Sequence, residues 1–376
     1  MRKPRSPGGT WSYRLDIGIG ADGRRVQKQV SGFPTRRAAQ AALNEALTEH
    51  QHGAYVAPSR QTLRDFIETW LEAVKPELAA SGWANYRSLM QAYVLPRLGA
   101  VRLVDLTPQR IQAAYADLLA RGKRDGSPLS PRSVSAVHRT LHRALHDAVR
   151  WRQLSSNPAD AVRAPRFEVK EMTTWTVEEC RQFLHHTRDD RLSALWVLAL
   201  NTGMRRGELA GLRWHDVDLP VHTLAVTQQR AVADHRVVIA EPKARSRRVI
   251  TLDASVCDAL TAHRRRQLEE RLAAGPGWVD SGYVFVDEIG QPYHPQRLRI
   301  MLERASRDAG VPPIRLHDLR HTMATTALRA GIHPKVVQER LGHSSVALTL
   351  DTYSHVTPTL QQAAADALGE LLSGPP

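Results

Sequence analysis

Residues 316–356, LHDLRHTMATTALRAGIHPKVVQERLGHSSVALTLDTYSHV, constrain this chain more than any other stretch. They place His317 and Arg320 three apart, His343 in the loop Leu341-Gly342-His343-Ser344, and Tyr353 ten residues later. Groups that can carry positive charge, set beside one phenol, suit chemistry on a phosphodiester. Arginine holds phosphate oxygens through its planar fork, and histidine can share a proton with them. From a pKa near 10, forming the phenolate at neutral pH costs about 4 kcal/mol, so a nucleophilic tyrosine needs cations close by. A fold that uses these groups has to gather them around one phosphate.

A second segment supplies what the first lacks. Residues 200–214 read LNTGMRRGELAGLRW, with Arg205 just after Thr202-Gly203-Met204 and Glu208 one turn later. Together the two segments resemble the tyrosine recombinase family, the phage integrases and their relatives, whose signature is a TG-x-R-x-x-E box followed by H-x-x-R, LGH and a terminal Tyr. Carried over residue by residue, the resemblance implies that Arg205 is the first catalytic arginine and Glu208 its supporting acid. It implies that His317 and Arg320 are the H-x-x-R pair, His343 the second histidine and Tyr353 the nucleophile. The family's catalytic lysine sits on a β-hairpin between the boxes, and here Lys243 is the only lysine between Arg205 and His317. Positions matching in the right order over about 150 residues are specific where one box alone would be weak.

The charge balance agrees. Lys plus Arg number 52 against 38 for Asp plus Glu, a net +14 over 376 residues. That excess favours a polyanionic partner, nucleic acid before membrane. No run of 18 apolar residues and no signal-peptide core is found, so the protein is expected in the cytoplasm, associated with the nucleoid. Cys180 and Cys257 form no metal or redox motif and read as ordinary thiols.

The expected fold is α+β and mostly helical, in three parts. Residues 1–58 alternate Trp11, Tyr13, Leu15, Ile17 and Ile19 against Ser12, Arg14 and Asp16, a strand with one buried face. Ala21-Asp22-Gly23 reads as a hairpin turn, and a return strand carries Arg24, Arg25 and Lys28. Thr35 then caps a helix expected to bury Ala38, Ala42 and Leu47. This basic sheet plus helix resembles the arm-type DNA-binding domain of many integrases. Residues 59–166 read as all-helical, with helix starts at Thr62, Thr107-Pro108 and Ser130-Pro131. The third of these helices presents Arg132, Arg139 and Arg143 opposite its apolar stripe, candidates for DNA contact. The block resembles the family's core-binding (SAM-like) domain, half of a clamp around the duplex, and residues 157–170 read as the linker to the other half.

Residues 167–376 read as a mixed α/β catalytic domain. A capping box at Thr176 opens it, and residues 192–200 should deliver Arg205 at a helix start, where backbone N–H groups favour an anion. Residues 223–229, 237–241 and 248–252 read as one small sheet with Lys243 in a turn. Helices are expected over 295–310, 317–330 and 334–341, with Gly331 and Gly342 just past two of them, and a last short helix starts at Thr357-Pro358.

His317 and His321 also have the i, i+4 spacing of zinc helices, but Asp318 stands where a metalloprotease needs Glu, and Arg320 lies between the two imidazoles. His321 is expected to be a hydrogen-bonding or surface residue. The resemblance implies a site-specific integrase that cleaves and rejoins DNA through a 3′-phosphotyrosyl intermediate, with no metal or nucleotide cofactor. It also implies double-stranded attachment sites as partners and a homotetramer on synapsed DNA, and it leaves room for an accessory DNA-bending or excision factor. A type IB topoisomerase-like relaxing enzyme and a non-catalytic DNA-binding relative stay open as alternatives.

Overall fold

The alternation at the start does form a strand. In the computed structural model β1 (Trp11–Ile19) pairs antiparallel with β2 (Arg25–Phe33). The structure describes residues 10–19, 25–51, 59–168, 172–242, 246–343 and 345–352, together with 365, 366, 368, 369 and 372. The expected turn at Ala21-Asp22-Gly23 lies outside them. The register slips between Trp11 and Ser12 and again between Asp16 and Gly18. Such a slip re-aims the side chains around it, so Ser12, expected on the open face, is buried beside Tyr13. Its hydroxyl accepts from Gln29 Nε2 at 3.3 Å. Thr35 caps α1 (Arg36–Gln51) by accepting from the Ala38 N–H at 3.1 Å. The inward stripe keeps the expected Ala42 but runs through Ala39 and Leu43 beside it, and Leu47, expected inside, is 40% exposed.

Two units divide the chain, Met1–Glu168 and Val169–Pro376. The rest of the first is helical. Thr62 opens α2 (Leu63–Val74) with a reciprocal cap: Asp65 N–H donates to Thr62 Oγ1 at 3.2 Å and Thr62 N–H to the Asp65 carboxylate at 2.9 Å. α3 (Ala80–Leu89) passes through a wider turn at Met90–Val94 into α4 (Leu95–Leu98). α5 (Pro108–Arg121) and α6 (Pro131–Arg150) start where Thr107 and Ser130 predict. Phe66, Trp70, Ile111, Tyr115, Val137, Leu141 and Leu145 form the core. Within it the Trp70 indole donates to Asp147 at 2.9 Å, which satisfies a buried polar pair. The expected linker begins as packed chain: the Asn157 amide donates to the His142 carbonyl at 3.2 Å, and Ala159 and Val162 join the core.

In the second unit, α7 (Val177–His186) starts at the expected capping box of Thr176 and Glu179. α8 (Ser193–Thr202) and α9 (Arg206–Gly211) come after it. The single small sheet expected next is in fact two. β3 (Val217–Asp218) and β4 (Thr223–Val226) are followed by a separate hairpin, β5 (Gln229–Ala233) and β6 (Arg236–Ala240), before β7 (Arg248–Thr251) returns to pair with β4. The break comes at Thr227-Gln228. There the Thr227 hydroxyl donates to Asp216 at 2.9 Å and the Gln228 amide to the Gly211 carbonyl at 2.7 Å, so the chain is tied away from β4. Asp234 and His235 both take positive φ, the geometry whose twist suits a two-residue hairpin turn.

A long helix with no clear signal in the sequence, α10 (Ala254–Ala274), comes next, then α11 (Pro295–Asp308), α12 (Leu316–Arg329), α13 (Pro334–Leu341) and α14 (Val346–Thr352). Leu195, Leu198, Leu224, Leu260, Val284, Leu298 and Leu302 are fully buried in the core that these elements share. Among the described residues no helix is long and apolar enough to cross a membrane.

Candidate active site

Arg205 is the residue that opens α9, as the sequence predicts. Its backbone N–H donates to Glu208 Oε2 at 2.9 Å and its guanidinium to Glu208 Oε1 at 2.8 Å. The same guanidinium reaches the Gly342 carbonyl at 3.2 Å. Glu208 is 1% exposed. Burial pushes its pKa up, but hydrogen bonds and charge from Arg248, with the backbone N–H and charge of Arg205, outweigh that and hold the carboxyl below its ordinary range. It is therefore a buried anion shared by two arginines.

The second cationic segment is α12. Asp318 fixes its start by accepting from the Arg315 N–H at 2.9 Å, and the Arg315 guanidinium adds a paired contact at 2.9 and 2.8 Å. One turn in, Arg320 is 2% exposed and donates to the carbonyls of Gly203 at 2.8 Å and Leu341 at 2.6 Å. α13 ends at Gly342 in the left-handed region, and the His343 N–H closes the helix end on the Gln338 carbonyl at 3.1 Å. His343 is half-buried, and its Nδ1 hydrogen-bonds the buried Thr349 hydroxyl at 2.8 Å.

These positions feel one another. Burial, then the charges of Arg320 and Arg205, lowers the His343 pKa to about 4. Burial lowers that of His317 as well, again with Arg320 contributing. His321 is buried rather than on the surface, meets the His317 ring edge-on at 4.8 Å, and is brought to about 4 chiefly by that burial. Arg205, Glu208, His317, Arg320 and His343 are thus gathered at the starts of α9 and α12 and the end of α13. Lys243 and Tyr353 lie outside the described residues. Among those described, no group of three or more His, Cys, Asp or Glu could hold a metal ion.

Sequence reasoning missed Arg248 and Ser246. The Arg248 guanidinium, 6% exposed, donates to both Glu208 oxygens at 2.8 and 3.2 Å, and the buried Ser246 hydroxyl donates to the Gly342 carbonyl at 3.3 Å. A signal for Arg248 was present. In β7, Ile250 is buried and Val249 is 68% exposed, so period-two alternation puts Arg248 on the inner face.

The candidate DNA-contacting residues are more scattered. Arg14 is exposed on β1, with Nε 3.4 Å from Gln29 Oε1. Arg25 and Lys28 lie on β2 opposite Ile19 and Leu15, while Arg24 falls outside the described residues. On α6, Arg132 and Arg139 are exposed, Arg132 lying 6.0 Å from the Phe167 ring. Arg143 is engaged instead with the Tyr86 hydroxyl at 3.2 Å and with Glu77 at 3.5 Å.

Comparison with known proteins finds matches along most of the chain. Residues 172–359 match the phage integrase family, 62–119 a phage integrase N-terminal SAM-like domain and 2–50 an Arm DNA-binding domain. The chain is 29% identical to a tyrosine recombinase XerC-like protein of Caldanaerobacter subterraneus subsp. tengcongensis, over 96% of each. It is 25% identical to the ICEBs1 integrase of Bacillus subtilis, over 96% of this chain and 97% of that one. Among solved structures it resembles the Tn1549 transposon integrase in complex with transposon right end DNA (TM-score 0.66, 23% identity, 81% of this chain and 99% of that one). It also resembles a lambda integrase tetramer bound to a Holliday junction (TM-score 0.59, 19% identity, 94% and 96%).

Proposed function

The chain belongs to the phage integrase family of tyrosine recombinases, enzymes that cleave and rejoin DNA strands at specific sites, and from that premise we propose how its residues divide the work. Arg205 and Arg320 grip the non-bridging oxygens of the scissile phosphate and stabilise the charge that builds there. The Tyr353 oxygen attacks phosphorus in line as the bond to the 5′ oxygen breaks, leaving a 3′-phosphotyrosyl enzyme and a 5′-hydroxyl. His317 takes the phenol proton, and Lys243 donates one to the leaving oxygen. The ester conserves the energy of the broken bond, so a 5′-hydroxyl can attack it in turn and reseal the strand without a nucleotide.

His343 bonds the phosphate as a neutral imidazole. Its pKa near 4 keeps it uncharged at pH 7, and the role calls for the tautomer in which Nδ1, 2.8 Å from the Thr349 hydroxyl, accepts and Nε2 carries the proton given to an oxygen. Glu208 supports Arg205 without touching substrate. The observation that carries this reading is the convergence of Arg205 and Arg320 on the adjacent Gly342 and Leu341 carbonyls, with His343 next in the chain.

Residues 1–58 act as the arm-type DNA-binding domain, 59–166 as the core-binding domain and 167–376 as the catalytic domain. The partners are double-stranded attachment sites, and exchange of four strands calls for four protomers on two duplexes, an arrangement supported by the tetrameric lambda integrase relative. An accessory bending or excision factor would act at this assembly step. The work is done on DNA in the cytoplasm.

Tyr353→Phe tests the nucleophile. It removes one oxygen and keeps the ring, so DNA affinity should hold while the covalent adduct on a nicked suicide substrate disappears from denaturing gels. Arg205→Ala and Arg320→Ala should keep the phenol and slow adduct formation by about 10²–10³, the worth of one such donor. An adduct still formed by Tyr353→Phe would refute the assignment.

A further inference from the structure

Arg248 has no role in the proposed chemistry, yet one guanidinium there joins three elements. Nη2 and Nη1 donate to Glu208 on α9 at 2.8 and 3.2 Å, and Nε donates to the Arg340 carbonyl at the end of α13 at 2.6 Å. Nη1 also donates to the Ser246 carbonyl at 3.0 Å, just before β7. The lacing runs both ways. The Arg340 side chain donates to the carbonyls of Thr251, the last residue of β7, at 3.0 Å and of Asn201 in α8 at 3.1 Å.

The carboxyl end of α13 shows a pattern. Its successive carbonyls at Arg340, Leu341 and Gly342 accept from Arg248, Arg320 and Arg205 respectively. The last carbonyls of a helix lack intrahelical partners and lie at the negative end of its dipole, so they make a natural ledge for guanidinium groups. Two of the three arginines are those assigned to the phosphate clamp. The third, Arg248, bonds the ledge and the anion that holds Arg205.

We propose that Arg248 is the positioning residue of this site: by bridging Glu208 to the Arg340 carbonyl it fixes α9 against the end of α13, and so sets the spacing of the Arg205 and Arg320 guanidiniums. The inference rests on the proposed roles of Arg205, Arg320 and Tyr353. It requires arginine at 248. Lysine would still neutralise Glu208, but an ammonium is a point charge on a flexible stem and cannot make the paired carboxylate contact and the carbonyl contact in one plane. Arg248→Lys therefore keeps the charge and breaks the geometry.

The full-length protein is assayed on a nicked suicide duplex for DNA affinity and for the single-turnover rate of adduct formation at saturating protein. Arg248→Lys should bind DNA within about twofold of wild type and form adduct about 30–100-fold more slowly, the scale of loss when reacting groups are misplaced by an ångström. A second substrate carries a methylphosphonate at the scissile position. It has no charge on its non-bridging atoms and leans less on the two arginines, so there the deficit should shrink at least about fivefold.

The double variant Glu208→Gln with Arg248→Gln removes both buried charges together. It should show the same signature even if the lysine variant fails to fold. A wild-type rate in either variant, or an equal deficit on both substrates, overturns the proposal, because a merely structural role would not distinguish the two phosphorus centres. Arg205→Ala and Arg320→Ala run alongside separate the two failures. If they too cleave at the wild-type rate, the reading of the site is wrong; if they are slow and Arg248→Lys is not, only the role of Arg248 is.

Discussion

His321 and His343 sit among cations with pKa values near 4, against about 6.5 for an unfolded histidine. Between those values the unfolded chain binds more protons than the folded one, so stability rises with pH across this window and is lost as pH falls through it. Melting temperature should therefore drop steadily from about pH 6.5 to 4.5. His321→Gln, which removes one titrating group outside the proposed chemistry, should flatten that slope, and an unchanged slope would assign the acid loss elsewhere. At this scale the sequence was legible wherever a residue belonged to a spaced motif. The structure brings Arg205, Glu208, His317, Arg320 and His343 of the two boxes together. For Arg248 the composition of residues 245–248, Arg-Ser-Arg-Arg, gives no guide, and only the alternation along β7 separates it from its neighbours. Arg247 next to it is exposed and pairs with Glu241 at 2.7 Å, whereas Arg248 turns inward.

The element that organises the site is α13 and its abrupt end. Gly342 takes φ +64°, and a Cβ built there would lie 3.0 Å from Arg248 Nη1 and 3.2 Å from its Cδ. Gly331, past the end of α12, takes φ +77° with nothing within 4 Å of such a Cβ. Alanine at either position incurs the left-handed backbone cost of about 1–2 kcal/mol. Only Gly342→Ala also crowds Arg248. The expected result is a similar fall in melting temperature for both variants, with slower adduct formation confined to Gly342→Ala; equal cleavage rates would show that Arg248 yields without consequence. Helix starts were readable because capping is local: Thr62, Thr107, Ser130 and Thr176 each bond the N–H three residues on. α10 was not, because its buried face includes His263 and Gln267 beside Val256 and Leu260 and so breaks the apolar stripe. The division of the strands into two sheets was hidden for a related reason. It depends on Asp216 and Gly211 receiving the side chains of Thr227 and Gln228, contacts that no periodicity encodes.

For the molecule as a whole, charge and modular cores together predict separable DNA contacts. Residues 1–60 hold ten Lys or Arg against four acids, a large share of the +14 excess. The hairpin and α1 have a small cluster of their own, with Tyr13 stacked on Phe33 at 5.6 Å and Ala42 and Leu43 packed against it. The helical block from α2 onward has anchors of its own at its start. The Leu103 N–H donates to the Gln61 carbonyl at 2.9 Å, the Leu63 N–H to the Val101 carbonyl at 2.8 Å, and Thr62 holds its own cap with Asp65. Deleting residues 1–58 should therefore leave α2–α6 folded and cleavage of a short core-site suicide substrate within about twofold of wild type, since no group of the proposed site lies there and changes at independent sites are close to additive. Binding to full attachment DNA should weaken, and its salt dependence should become shallower. Each phosphate contact contributes a slope of about −0.9 in log K against log salt, so the difference between the two proteins' slopes counts the contacts removed. A truncated protein that integrates as well as the full chain, with the same slope, would leave residues 1–58 without a DNA-binding role.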